Sequence, residues 1–152
     1  MTRGNARELA VHLIYACDFT GEEPEQVIAA RLEKEYYNQL SAENPVYEER
    51  PSRAQRAYLD SVVVGVANRL EEMNEIISKF SIGWDVSRIS RLTRTVMQLA
   101  IFEILYVEDV PTGVAISEAV RIVKLYDTEE AGSFVNGILG SFARSLDAEV
   151  QA

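Results

Sequence analysis

The sequence predicts an all-α protein of about six or seven helices joined by short turns, and three observations carry that expectation. Apolar residues recur at steps of three and four along most of the 152 residues, with only eight glycines and four prolines to interrupt them. The longest register, Leu59, Val63, Val66, Leu70, Met73 and Ile77, keeps six side chains on one helix face, which a strand of period two cannot do. Three pairs spaced three apart, Asn5 with Glu8, Ser52 with Gln55 and Asp127 with Glu130, have the form of capping boxes that open helices.

Taken in order, the first helix follows Asn5 and turns Ala6, Leu9, Leu13 and Cys17 inward. Gly21 and Pro24 break it, and Pro24 suits the first turn of a second helix with Val27, Ile28, Leu32 and Tyr36 inside. Residues 39–51 are polar, carry Pro45 and Pro51 and lack period, so they read as a loop. Behind Ser52 the long register predicts one helix. The run Val62-Val63-Val64 would suggest a strand but is outvoted, and Gly65 weakens the helix by about 1 kcal/mol relative to alanine. Trp84-Asp85 opens the next helical region, with an interruption near Ser90.

From Val96 to Leu105 that region is apolar almost all round, which marks the centre of a domain. Pro111 ends the following connection. Thr112 to Tyr126 then carry Ala115, Ala119 and Val123 on one stripe, with Glu118, Arg121 and Lys124 toward water. A last helix presents Phe134, Val135, Ile138, Leu139 and Phe142. Residues 1–146 read as a single domain and 147–152 as a frayed tail.

Hydrophobic residues make up 47% and charged ones 26%, the composition of an ordinary globular protein. The single cysteine, Cys17, allows no internal disulfide, and no signal-peptide pattern or membrane-length apolar run is present. A cytoplasmic protein without a membrane role is expected.

Reactive groups are scarce. His12 and Cys17 lie five apart on a helix and point away from each other, which disfavours a nucleophile pair. Glu8 and His12 share a face, but with no second histidine the pair reads as an exposed polar contact rather than a metal site. No glycine-rich phosphate loop occurs. Glu103, a carboxylate inside the most apolar helix, reads as a partner for a buried polar group. The expectation is a protein that catalyses nothing and holds no cofactor or metal.

The net charge of −9 argues against indiscriminate binding to nucleic acid, but it is unevenly spread. Asp18 to Glu49 carry a local net of −7, whereas Lys79 to Arg94 carry +3. Arg88, Arg91 and Arg94 follow at steps of three, a slanted basic stripe if helical throughout. If the helix restarts near Ser90, only Arg91 and Arg94 stay aligned. Arg3 and Arg7 stand four apart, in line with Val11 and Tyr15. Arginines beside exposed aromatics hold single-stranded nucleic acid by phosphate pairing and base stacking, and such a stripe is also simply a solvated helix face.

Four segments add to this reading: Ala6-Arg7-Glu8-Leu9-Ala10-Val11, Leu99-Ala100-Ile101-Phe102-Glu103-Ile104-Leu105, the stretch from Val110 to Ala119 (VPTGVAISEA), and Phe134-Val135-Asn136-Gly137-Ile138-Leu139. Together, in this order, they resemble the NusB family, over about Arg3 to Arg144. The resemblance implies two packed helical subdomains sharing one core. It also implies a role in transcription antitermination, in which the protein and a ribosomal small-subunit protein acting as NusE hold the boxA element of ribosomal RNA for the RNA polymerase antitermination complex.

It further suggests RNA contacts at Arg3, Arg7, Phe80 or Ser81, Arg91, Arg94, Ser133 and Phe134, and partner contacts at Tyr15, Thr93 and Glu130. Arginines from both stretches would then converge on one exposed strip. The same fold heads some ribosomal RNA methyltransferases, but no methyltransferase domain follows here, so that activity is not implied. Relatives often begin with a denser arginine run and carry a basic residue where Ser133 stands here, which predicts weak RNA binding without the partner. The alternative is a protein-interaction adaptor with little RNA affinity, including a homodimer that masks the basic face.

Overall fold

Among residues 1–84 and 89–151, which the computed structural model describes, the chain forms eight α-helices, one short 3₁₀ turn and no strand. Contacts gather into two units, Met1–Asn68 and Arg69–Ala152.

In the first unit, α1 (Arg3–Thr20) opens on Thr2, whose hydroxyl accepts from the Asn5 N–H at 3.0 Å. The cap therefore lies three residues before Asn5, and Glu8 is buried rather than reaching back to a capping box. Every residue from Ala6 to Val11 is buried, so α1 is covered on more than the one face expected. Gly21 ends it at φ 71°, a left-handed conformation that glycine adopts without strain.

Helix α2 (Pro24–Arg31) begins on its proline and buries Val27, Ile28 and Leu32, as expected. The helix does not continue to Tyr36. The Glu33 carboxylate accepts from the Glu35 and Tyr36 N–H groups and starts α3 (Lys34–Leu40). That restart shifts the register, so Tyr37 is fully buried and Tyr36 exposed. The 39–51 loop contains the 3₁₀ turn Pro45–Tyr47, which is capped by Asn44 and buries Val46 and Tyr47. Helix α4 (Arg53–Asn68) opens on the expected reciprocal box: Ser52 N–H donates to Gln55 at 2.9 Å, and Gln55 N–H donates to the Ser52 hydroxyl at 3.2 Å.

The long register is two helices. Arg69, at φ −124° and ψ 25°, interrupts it, and α5 (Leu70–Phe80) begins the second unit. Leu59, Val63 and Val66 are buried in α4 and Met73 and Ile77 in α5, while Leu70 at the break is only half-buried. The breaks at Glu33 and Arg69, neither marked by glycine or proline, help raise the count to eight helices.

Helix α6 (Arg91–Tyr106) is the centre of its unit, packed on α5, α7 (Thr112–Tyr126) and α8 (Glu129–Gln151) and buried without interruption from Thr95 to Glu103. It starts at Arg91, with the Ser90 hydroxyl accepting from Thr93 N–H at 3.0 Å, where the sequence places the interruption near Ser90; the helical opening expected at Trp84-Asp85 runs into residues outside those described. Asp85 and Arg88 lie outside the described residues. Helix α7 has the expected bounds and buries Ala115, Ala119 and Val123. Helix α8 opens on Thr128, one residue past Asp127, and Thr128 accepts from Ala131 N–H at 3.0 Å. Its five expected apolar residues are all buried. Truncating one such residue, Leu139, to alanine costs about 2–5 kcal/mol. No helix among the described residues is long and apolar enough to cross a membrane.

Candidate nucleic-acid and partner interface

Each unit holds its own set of the residues picked out by sequence. In the first, Arg3 is exposed on the opening turn of α1. Arg7 is not: it is 8% exposed, and Val11 is fully buried, so this pair does not form the basic-aromatic surface expected with Tyr15. Tyr15 is half-buried and lies almost parallel to Phe19, with ring centroids 6.4 Å apart at 8°. Phe19 is 69% exposed. An apolar stack flanked by Asp18 and Glu22 suits a basic protein surface better than a phosphate.

His12 is no surface ligand either. Its Nδ1 lies 2.8 Å from the Tyr47 hydroxyl, and burial lowers its pKa, against the opposing charge of Glu8. Burial likewise pushes the Cys17 thiol up to about 11. Among the described residues no group of three or more His, Cys, Asp or Glu side chains is placed to hold a metal.

In the second unit, Arg91 is exposed at the first position of α6 and Arg94 half-exposed one turn on. Arg88 lies outside the described residues. Ser133 is exposed on α8. Phe80 is half-buried, edge-on to Phe142 at 5.6 Å, with the Lys79 ammonium 5.5 Å from its ring centre. Ser81 is buried, and its hydroxyl donates to the Ser78 carbonyl at 3.0 Å. Glu103 is fully buried, and no buried side-chain polar atom among the described residues lacks a hydrogen-bond partner.

Phe134 is only 5% exposed because Trp84 covers it edge-on, with ring centroids 4.8 Å apart. Trp84 is itself 41% exposed, so the aromatic group that meets solvent here is Trp84. Trp84 and Phe134 line a cleft of about 430 Å³ with Ser90, Thr93, Asp127 and Glu130. Asp127 organises one side of it. Its Oδ2 accepts from the Thr93 hydroxyl at 2.7 Å and the Ser90 hydroxyl at 2.8 Å, and its Oδ1 accepts from Thr128 N–H at 2.8 Å. These bonds, that from Thr93 first, hold the carboxyl below its usual pKa. Thr93 is 1% exposed, and its hydroxyl meets Asp127 rather than solvent.

Three helices, α1, α4 and α6, begin with an arginine (Arg3, Arg53 and Arg91) and have no acid in the first turn. The positive end of the helix dipole disfavours a cation there, so the fold gains nothing from the placement. An arginine there instead adds to the positive potential of the helix start. Arg53 was not singled out from the sequence, and neither was Trp84 as a site residue. The chain's only tryptophan, flanked by Gly83, was the available signal.

A family model described as the NusB family matches residues 4–144. The chain belongs to the NusB family. Similar curated relatives include the transcription antitermination protein NusB of Acetivibrio thermocellus, 40% identical over 95% of this chain and 90% of that one. The same protein of Symbiobacterium thermophilum is 34% identical over 96% and 92%. Among solved structures, NusB of T. maritima superposes with TM-score 0.74 at 29% identity, covering 95% of this chain and 92% of that one. A crystal structure of antitermination factors NusB and NusE in complex with dsRNA superposes with TM-score 0.71 over 94% and 96%; at 24% identity this likeness speaks for the fold. Within this NusB fold, Thr93, Glu130 and Phe134 line one cleft, while Arg91 and Arg94 lie on the first turns of α6 beside Thr93.

Proposed function

We propose that this protein is a transcription antitermination factor that binds boxA-type single-stranded RNA together with NusE and so promotes processive transcription of ribosomal RNA. Membership of the NusB family supports the role. The observation that carries the RNA part is the pair Arg91 and Arg94, both accessible at the opening of α6 in a chain of net charge −9. Arginines so placed pair with phosphates and stack on bases.

In this proposal Arg3, Arg91, Arg94 and Ser133 touch RNA, with Phe80 offering part of its ring. Arg7 and Phe134, both buried, support the RNA-contacting residues of their own units. Tyr15 and Glu130 meet the partner, and Thr93 holds Asp127 in place. The role is one of binding without catalysis, in the cytoplasm, by a single domain over residues 1–146 that serves the polymerase antitermination complex. A NusB–NusE structure with double-stranded RNA exists, so both RNA forms belong in the test.

A second reading, a protein adaptor or homodimer with little RNA affinity of its own, draws on the burial of Arg7 and the acidic total. RNA affinity measured by salt titration with and without NusE separates the two. The proposal expects weak binding alone and much tighter binding with NusE. Equal affinities refute the expected division of labour, and absence of RNA binding in both arms leaves the adaptor.

A further inference from the structure

We propose that the cleft between Trp84 and the α7–α8 turn receives an arginine side chain presented by the protein partner. This rests on the reading that a partner protein binds here and goes on to name the group it inserts. The cleft has one aromatic wall, Trp84, held edge-on against Phe134 and left 41% exposed. Two carboxylates, Asp127 and Glu130, line it as well, and no lysine or arginine is among its described lining residues.

Among the described residues no cation compensates these charges. Neighbouring Glu129 is paired with Lys124 at 3.4 Å, but no cation among the described residues pairs with Glu130. Among the described residues Asp127 is hydrogen-bonded by neutral groups alone, two hydroxyls and one backbone N–H, which fix its position without cancelling its charge. A planar guanidinium satisfies all three features at once. It stacks on an indole face, forks its N–H groups onto carboxylates, and is the cation most easily stripped of water. Lysine meets the charge but not the plane. A phosphate entering the same cleft meets two carboxylates and, among the described lining residues, no lysine or arginine, so nucleic acid is the poorer occupant.

Trp84 is the chain's single tryptophan, so its fluorescence reads the cleft directly. The test titrates the wild-type chain, Trp84→Ala, Trp84→Phe and Glu130→Gln with purified NusE, by calorimetry at low and high salt, and separately with boxA-type RNA in the absence of NusE. Tryptophan emission is followed where the residue remains. Glu130 is exposed, so Glu130→Gln keeps the measurement valid if Trp84→Ala unfolds.

NusE is expected to change the emission. Trp84→Ala and Glu130→Gln are expected to weaken NusE binding on the order of tenfold. Trp84→Phe should lie between, and Glu130→Gln should also flatten the salt dependence. RNA affinity of the chain alone should not fall in Glu130→Gln. If the wild type binds NusE but no variant changes that affinity by more than twofold, the cleft assignment is overturned and the functional reading stands. A fall in RNA affinity with NusE binding intact assigns the cleft to nucleic acid and also overturns it. A wild type that binds neither ligand overturns the functional reading and this inference with it.

Discussion

The hydroxyl of Thr93, on the first turn of α6, donates at 2.7 Å to the carboxylate of Asp127, at the junction of α7 and α8. One buried hydroxyl thereby ties the start of one helix to the turn between two others, and the Ser90 hydroxyl reinforces the tie. A hydrogen bond to a charged acceptor contributes more than a neutral one. Thr93→Val keeps the shape and removes the donor, and should lower stability by about 1–2 kcal/mol in urea unfolding. It should also raise the Asp127 pKa, followed by NMR, because the largest cause of its depression is then gone. An unchanged Asp127 titration would show that the Ser90 bond alone holds it.

Arg3 and Arg7 should behave differently although they sit one turn apart on α1. Arg3 is exposed, so Arg3→Gln should leave the melting temperature within error and reduce the salt slope of RNA binding by about 0.7, the share of one phosphate contact on a single strand. Arg91→Gln should reduce the salt slope by a similar amount. Arg7 is buried, so Arg7→Gln should lower the melting temperature, and RNA affinity should recover once the folded fraction is accounted for. A salt slope altered by Arg7→Gln at full folding would place its guanidinium on the RNA after all.

What was legible in the sequence follows from what periodicity can sense. The apolar girdle of α6 and the stripes of α7 and α8 were legible because each is a continuous register inside one helix. The breaks at Glu33 and Arg69 were not, because the apolar spacing carries straight across them and no glycine or proline marks either one. The caps differ for a related reason: Thr2 and Thr128 offer hydroxyls as good as the side chains of Asn5 and Asp127, and spacing alone does not rank neighbours. At the site, residue type was legible and exposure was not. Phe134 and Thr93 were found, but only coordinates reveal that Trp84 covers the first and Asp127 engages the second.

Cys17 should be a poor nucleophile. Burial raises its pKa to about 11, so at pH 8 almost none of it is thiolate. Its reaction with a disulfide reagent should be far slower than that of a free thiol, and should accelerate in denaturant as the first unit opens. Rapid labelling of the folded chain at pH 8 would mean that α1 opens readily about this residue.

His12 makes the first unit sensitive to mild acid. Its Nδ1 is engaged by the Tyr47 hydroxyl at 2.8 Å, and the Tyr47 ring stacks on the imidazole at 5.6 Å. Burial favours the neutral ring and outweighs the attraction of Glu8 for the charged one, so the folded pKa lies below 6.5. The unfolded chain then binds a proton more readily than the folded one, and stability must fall as pH drops. The contribution is fully present above the unfolded value near 6.5 and is lost as pH falls through the lower folded value. Unfolding free energy measured by urea at pH 7.5, 6.5, 5.5 and 5.0 should therefore decline across this window. His12→Gln keeps a polar group beside Tyr47 but cannot charge, so it should be less stable at pH 7.5 yet nearly flat over the same range. Because this chain has one histidine, a decline that persists in His12→Gln would assign the acid sensitivity to the carboxylates instead.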